Sequence, residues 1–194
     1  MKLYYSPLAC SLADHIVLLE AGVPFEPERV DLRTKRTASG GDLRDITPKG
    51  YVPVLVLDSG DVLTENIAIL DWLASQYPAL GGQGPLGRTR LLEALTYLST
   101  ELHHAFKARL NAGGQTEKER AEAVIAGHLD FLSEGLEADY LFGDTPTVAD
   151  FYLFVMLLWA EKFDIGLPTA LAGLRARIKA RPAVRTAMIN EGLI

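Results

Sequence analysis

The sequence predicts an α/β part followed by an all-helical part, and three observations carry that reading. Residues 1–78 mix short strand-like runs with helical ones. Residues 79–87 then bring four glycines and a proline together, the clearest linker in the chain. Beyond it, every apolar pattern repeats at helical spacing. At 194 residues the chain has core enough for both parts, and a composition 48% hydrophobic and 23% charged is that of an ordinary globular protein.

In order, Lys2-Leu3-Tyr4-Tyr5 alternates and is aromatic, a first strand. Ser6 to Cys10 is a loop, and Ser11 with Asp14 three residues on resembles a capping box opening a helix that Gly22 ends. Residues 25–30 form a second strand, and Pro27 inside it assigns it to an edge or a bulge. Residues 31–47 are polar, with room for one short, poorly packed helix. Val52 to Leu57 is a β-branched run bounded by Gly50 and the turn Asp58-Ser59-Gly60, hence a buried strand with 61–63 as its hairpin partner. Thr64 is the N-cap candidate for a helix carrying Ile67, Leu70 and Ala74, which Pro78 stops.

Past the linker, residues 88–110 carry Leu91, Leu95, Leu98 and Leu102 on one stripe, and 111–115 break it. Residues 117–137 follow with Ile125, Leu129, Leu132 and Leu136. Residues 147–163 are apolar all round and therefore the buried hub, with Thr147 and Asp150 as a capping box. Residues 169–180 and a last helix opened by Pro182 complete the chain.

Several classes are disfavoured. A net charge of -6 leaves no basic footprint for nucleic acid. The longest apolar run, residues 151–160, is ten residues long, short of a bilayer span. No charged-then-apolar leader precedes the first strand, so no secretory signal is expected. One cysteine rules out an intramolecular disulfide and fits a reducing cytoplasm.

Cys10 is the sharpest candidate for chemistry. Just before a helix start, the dipole and free N–H groups favour a thiolate, and in such settings a thiol pKa falls from about 8.5 to roughly 3.5–7.5. The alternative is a small buried hydrophobe. Tyr5, Ser6 and Ser11 are nearby hydroxyls able to polarise a bound thiol instead. His103 shares a polar strip with Thr96 and Ser99 beside the leucine stripe, which is either a cleft wall or a solvated face; His104 follows it. Val52-Pro53 puts a proline at the mouth of a buried strand, a position that carries a turn or a cis bond. Thr64-Glu65-Asn66 opens a helix whose free N–H groups suit a small carboxylate, with Glu65 placed for an ammonium group. Zinc-ligand spacing, a phosphate-binding glycine loop and a nucleophilic serine motif are all missing, so no metal is expected.

Together these pieces resemble the glutathione S-transferases, most closely the bacterial beta class. The matching stretches are Met1-Lys-Leu-Tyr-Tyr-Ser-Pro-Leu-Ala-Cys-Ser-Leu-Ala-Asp-His-Ile16, Pro48-Lys-Gly-Tyr-Val-Pro-Val-Leu55, Leu63-Thr-Glu-Asn-Ile-Ala-Ile69, Thr100-Glu-Leu-His103 and Thr147-Val-Ala-Asp150. The resemblance implies a thioredoxin-like glutathione-binding domain over 1–78, a linker over 79–87, and an all-helical domain over 88–194 holding the electrophile pocket and the dimer contacts. It implies a cytoplasmic homodimer that conjugates glutathione to small hydrophobic electrophiles, with thiol-disulfide or peroxide reduction as further glutathione chemistry. By the same resemblance Pro53 is a cis-proline that frees the Val52 backbone for the cysteinyl part of glutathione. Glu65 and Asn66 hold its γ-glutamyl group, Lys35 its glycyl end, and Cys10 and His103 flank its thiol. Glu101 reaches in from the partner subunit. The chain departs from the family pattern at Tyr51, a ligand position where glutamine is usual, and at Thr96, where asparagine is common. The rival from another class is a non-catalytic binding or scaffold protein on the same fold.

Overall fold

The computed structural model describes residues 1–194. Its sheet comprises β1 (Lys2–Tyr5), β2 (Glu26–Arg29), β3 (Val54–Val56) and β4 (Val62–Thr64) in the order β2-β1-β3-β4. β1 and β2 are parallel, with Lys2 opposite Glu26, while β1–β3 and β3–β4 are antiparallel. Helix α1 (Ser11–Glu20) makes the β1-to-β2 crossover, and α2 (Asn66–Gln76) follows β4. Pro27 sits on the edge strand as expected, because the Glu26 and Val30 N–H groups reach β1 and position 27 owes it no donor.

Local rules fail at three places in this half. Ser11 and Asp14 form no capping box: α1 starts after Cys10 without a side-chain cap. The Ser11 hydroxyl is used by the Ser6 N–H at 3.2 Å, and Asp14 is buried deeper in the core. Thr64 does not cap α2 either. It ends β4, and Glu65 takes the N-cap position at φ 71°, left-handed for a non-glycine residue. Residues 31–47 contain only a three-residue 3₁₀ turn, Leu43–Asp45, capped by Asp42, and Leu43 is fully buried, so the segment is well anchored.

The helical half comprises α3 (Gly87–Tyr97), a π-helical segment Leu98–His103 and α4 (His104–Asn111), then α5 (Gln115–Glu134), α6 (Val148–Lys162), α7 (Thr169–Lys179) and α8 (Pro182–Asn190). The predicted long helix is thus continuous but underwound by a π segment at its centre, which sequence periodicity does not reveal. Leu91, Leu95, Leu98 and Leu102 are all buried, as their stripe predicts. At the linker, a Cβ on Gly82 would lie 2.2 Å from the Gly87 carbonyl oxygen, so the two backbones meet where only glycine fits.

The Thr147/Asp150 capping box is present at the start of α6, with the Thr147 N–H donating to Asp150 Oδ2 at 2.7 Å. Twelve of the α6 residues are buried, and all but Asp150 belong to one 39-residue core that also takes in α1, α2 and α8. The two halves therefore share their main core, and a smaller cluster of Tyr4, Val30, Leu43, Val52 and Val54 lies apart in the first half. Arg181 closes the main core at the surface, donating twice to Glu20 at 2.6 and 2.7 Å and tying α8 to α1. No helix is long and apolar enough to cross a membrane.

Candidate active site

A cleft of about 870 Å³ lies between the halves. The first half contributes the loop 6–10, residues 51–53 and the start of α2; the second contributes the π segment, α4 and α6.

The loop carrying Cys10 is set from the far end of the chain. Leu8 adopts φ 57°, with its N–H donating to Glu191 Oε2 at 3.0 Å and its carbonyl accepting from Trp159 Nε1 at 2.8 Å. Glu191 is itself fully buried against His15 Nδ1 at 3.0 Å. Burial raises the Glu191 carboxyl pKa, with His15 opposing the shift.

Cys10 opens onto the cleft, with Sγ 3.9 Å from the Val52 carbonyl oxygen. Its thiol does not follow the helix-end expectation. Burial first, and then the Asp14 carboxylate, push it up to about 12, against smaller lowering by the Cys10 and Ser11 amides and by Lys107. Close packing of the protein around the sulfur outweighs one helix terminus. Cys10 is a neutral thiol here, hence a hydrogen-bond donor.

Opposite it the Val52–Pro53 peptide is cis, and the Val52 N–H has no protein partner. Glu65 lies at the start of α2 with its carboxylate in the cleft. Its Oε1 accepts from the Tyr51 hydroxyl at 2.7 Å and from Lys49 Nζ, while Oε2 accepts nothing from the protein. Lys49 first, and Tyr51 second, hold this carboxyl below the usual range. Asn66 is buried at the first position of α2, where N–H groups lack intrahelical acceptors. With its amide turned to satisfy both neighbours, it donates to Asp14 Oδ2 at 2.8 Å and to the Cys10 carbonyl at 3.2 Å. Asp14 Oδ1 is left without a partner.

On the helical wall the π segment brings Ser99 and His103 into the cleft, while Thr96 stays exposed outside it. His103 Nδ1 and the Tyr152 hydroxyl lie 2.7 Å apart, with the Trp159 ring 4.9 Å from the imidazole. Burial, then the charges of Lys107 and His104, push the His103 pKa down to about 4, so the ring is neutral at pH 7. Phe106, Trp159 and Phe163 form an aromatic floor, with Phe106 centroids 5.6 Å from Trp159 and 6.3 Å from Phe163.

Cys10, Tyr51, Val52, Pro53, Glu65, Asn66 and His103 therefore meet in one place. Lys35 does not line the cleft; its methylenes run beside Gly50. Glu101 is exposed and does not line it, accepting from Thr100. No cluster of three metal-ligating side chains is present. Sequence reasoning missed Tyr152, Lys49 and Trp159. For Tyr152 one signal existed: a phenol in an otherwise apolar buried helix needs a hydrogen-bond partner.

A four-stranded α/β half holding a thiol and a free strand-entry amide, facing a helical wall with an aromatic floor, defines a thiol-handling enzyme of small molecules. Family models described as the glutathione S-transferase N-terminal and C-terminal domains match residues 9–76 and 115–186. The chain is similar to glutathione S-transferase GstA of Escherichia coli O157:H7, 38% identical with all of both chains covered. Among solved structures it is similar to a sphingomonad glutathione S-transferase complexed with glutathione, at TM-score 0.91 and 42% identity. It is equally similar in fold to the bacterial beta-class enzyme of Sphingomonas chungbukensis, at TM-score 0.91 and 41% identity, all of both chains being covered in each case. The chain belongs to the glutathione S-transferase family. Membership makes it an enzyme and sets aside the non-catalytic scaffold reading.

Proposed function

We propose that this enzyme binds glutathione along residues 51–66 and transfers its sulfur to a small hydrophobic electrophile lodged on the helical wall. The observation that carries the reading is the unpartnered Val52 N–H, on the residue whose carbonyl oxygen lies 3.9 Å from the Cys10 sulfur. An extended cysteinyl backbone pairs with Val52, which sets its sulfur near Cys10 and His103. The γ-glutamyl ammonium then takes Glu65 Oε2, and its carboxylate takes the first amides of α2. Lys35 reaches the glycyl end from behind Gly50, and Glu101 serves the cleft of a partner subunit in a homodimer. An aromatic pair at the surface, Tyr97 with a 60% exposed Phe131, supports a second copy. The reducing cytoplasm suits the single free thiol.

Cys10 donates from its neutral thiol to the glutathione sulfur, stabilising the thiolate that attacks. The raised thiol pKa favours this role over a mixed disulfide. Calorimetric titration of the reduced protein with glutathione tests the proposal, together with conjugation of a chlorodinitrobenzene. Micromolar to millimolar binding with turnover supports it; no heat at two temperatures and no turnover overturn it.

A further inference from the structure

We infer that the electrophile site selects substrates carrying a carboxylate on an apolar body. This rests on the transferase reading and adds to it a substrate class. The chain carries a net charge of -6, yet its cleft is lined by two lysines and one acid. The acid, Glu65, stands on the first-half wall and is held by Lys49 and Tyr51. Lys107 and Lys162 come from different helices and flank the floor of Phe106, Trp159 and Phe163. Lys107 lies one helical turn beyond His103 on the same cleft-lining face. Lys162 lies three residues past Trp159 at the end of α6, where the helix dipole would favour some cation in any case.

Neither lysine forms an ion pair. Their neighbours do: Arg109 is committed to Glu122, and Glu161 to Arg175. Both ammonium groups are thus left free in a cleft whose base is apolar. Lys107 also sits close enough to Cys10 and His103 for its charge to lower the pKa of both. A neutral aryl electrophile uses the floor and leaves both lysines idle; an aryl or alkenyl carboxylate uses all of it.

The test compares a chlorodinitrobenzoate, with chloride para to the carboxylate, and the matching chlorodinitrobenzamide. In each, the glutathione sulfur forms a bond to the ring carbon, chloride leaves with the bonding electrons, and the thiol proton passes to solvent. Rates are divided by the uncatalysed rate of each probe. Two partly solvated ion pairs give the benzoate an advantage of about tenfold in kcat/KM. The advantage shrinks with added salt and falls to near unity in Lys107→Gln/Lys162→Gln. Arg185→Gln, an exposed charge on α8, keeps the ratio. Equal use of both probes by the wild-type enzyme overturns the inference, as does a ratio that survives the double variant. A parallel loss with both probes also overturns it, because Lys107 would then serve the glutathione sulfur. Quenching of Trp159 by dinitrobenzoate against dinitrobenzamide, neither bearing chloride, needs no turnover. If neither chloride probe reacts, the transferase reading falls, and the quenching ratio still decides whether the lysines bind a carboxylate.

Discussion

Tyr152 is where the structure makes its most specific demand. The side chain is fully buried in α6, and its hydroxyl meets His103 Nδ1 at 2.7 Å, with Ser99 and Asn66 beside it. Tyr152→Phe keeps the ring and its packing and removes one oxygen. The cost is then the unmade hydrogen bond plus an imidazole nitrogen left without a partner in a desolvated place. Groups of this kind cost about 1–3 kcal/mol, and a conservative hydroxyl deletion falls near the middle, about 1.5 kcal/mol. In a chain of this length that lowers Tm by roughly 3–6 °C. If His103 must hold one orientation beside the glutathione sulfur, the same energy appears as about a tenfold loss in kcat/KM for conjugation. Thermal unfolding and steady-state kinetics on one preparation read both. A double-mutant cycle with His103→Gln isolates the pair, with a coupling of at least about 1 kcal/mol expected. Unchanged kinetics with a lowered Tm would show Tyr152 to be structural only. Additive losses would refute the claim that it acts through His103.

Three further outcomes follow from the site. Alkylation of Cys10 by iodoacetamide in the glutathione-free enzyme should rise steadily through pH 9 without a plateau, since burial pushes the thiol up to about 12; a plateau near pH 7 would disprove the neutral thiol. Burial, ahead of the Glu191 charge, holds the Asp14 carboxyl well above its ordinary 3.8. Such an acid binds its proton more tightly folded than unfolded, so its stabilising contribution is full below 3.8 and is lost as pH rises through the folded value. Asp14→Asn should therefore raise Tm at pH 7, by about 2–6 °C, and the gain should vanish toward pH 4; a variant less stable than wild type at pH 7 counts against this. Tyr51→Phe removes one of the two groups gripping Glu65 Oε1 and should weaken glutathione binding about threefold to tenfold in calorimetry. A Kd within twofold of wild type would mean that Lys49 alone orients the carboxylate.

The features legible in the sequence are those whose partners lie within a turn or a strand of one another. Thr147 and Asp150 are three apart and form their box as expected. Leu91 to Leu102 mark a buried face, and Pro53 marks the entry to β3. Ser11/Asp14 has the same spacing as Thr147/Asp150 and fails, because Asn66 and the burial of α1 claim Asp14 while Ser6 claims Ser11. Spacing alone cannot separate the two cases; the difference is made fifty residues away. The hold of Lys49 and Tyr51 on Glu65 is of the same kind, as is the pinning of Leu8 by Glu191 from the other end of the chain.

The π segment shows why the helical wall was only half readable. A regular helix would keep Thr96, Ser99 and His103 on one polar strip, and that strip was legible. The wider turn at 98–103 divides it, leaving Thr96 in solvent and turning Ser99 and His103 toward Tyr152. The chemical consequence follows from burial rather than from helix geometry. A ring enclosed by Trp159 and Tyr152 stays neutral, as a thiol enclosed beside Asp14 does, so the sulfur of a bound ligand meets two uncharged donors or acceptors. The charges that remain are Glu65 on the first-half wall and Lys107 and Lys162 on the helical wall. An ammonium-bearing thiol and a carboxylate-bearing electrophile would each find an opposite charge only in an orientation that brings sulfur to the neutral middle. That geometry would supply the approach of the two reactants, a larger contribution to rate than either polar contact alone.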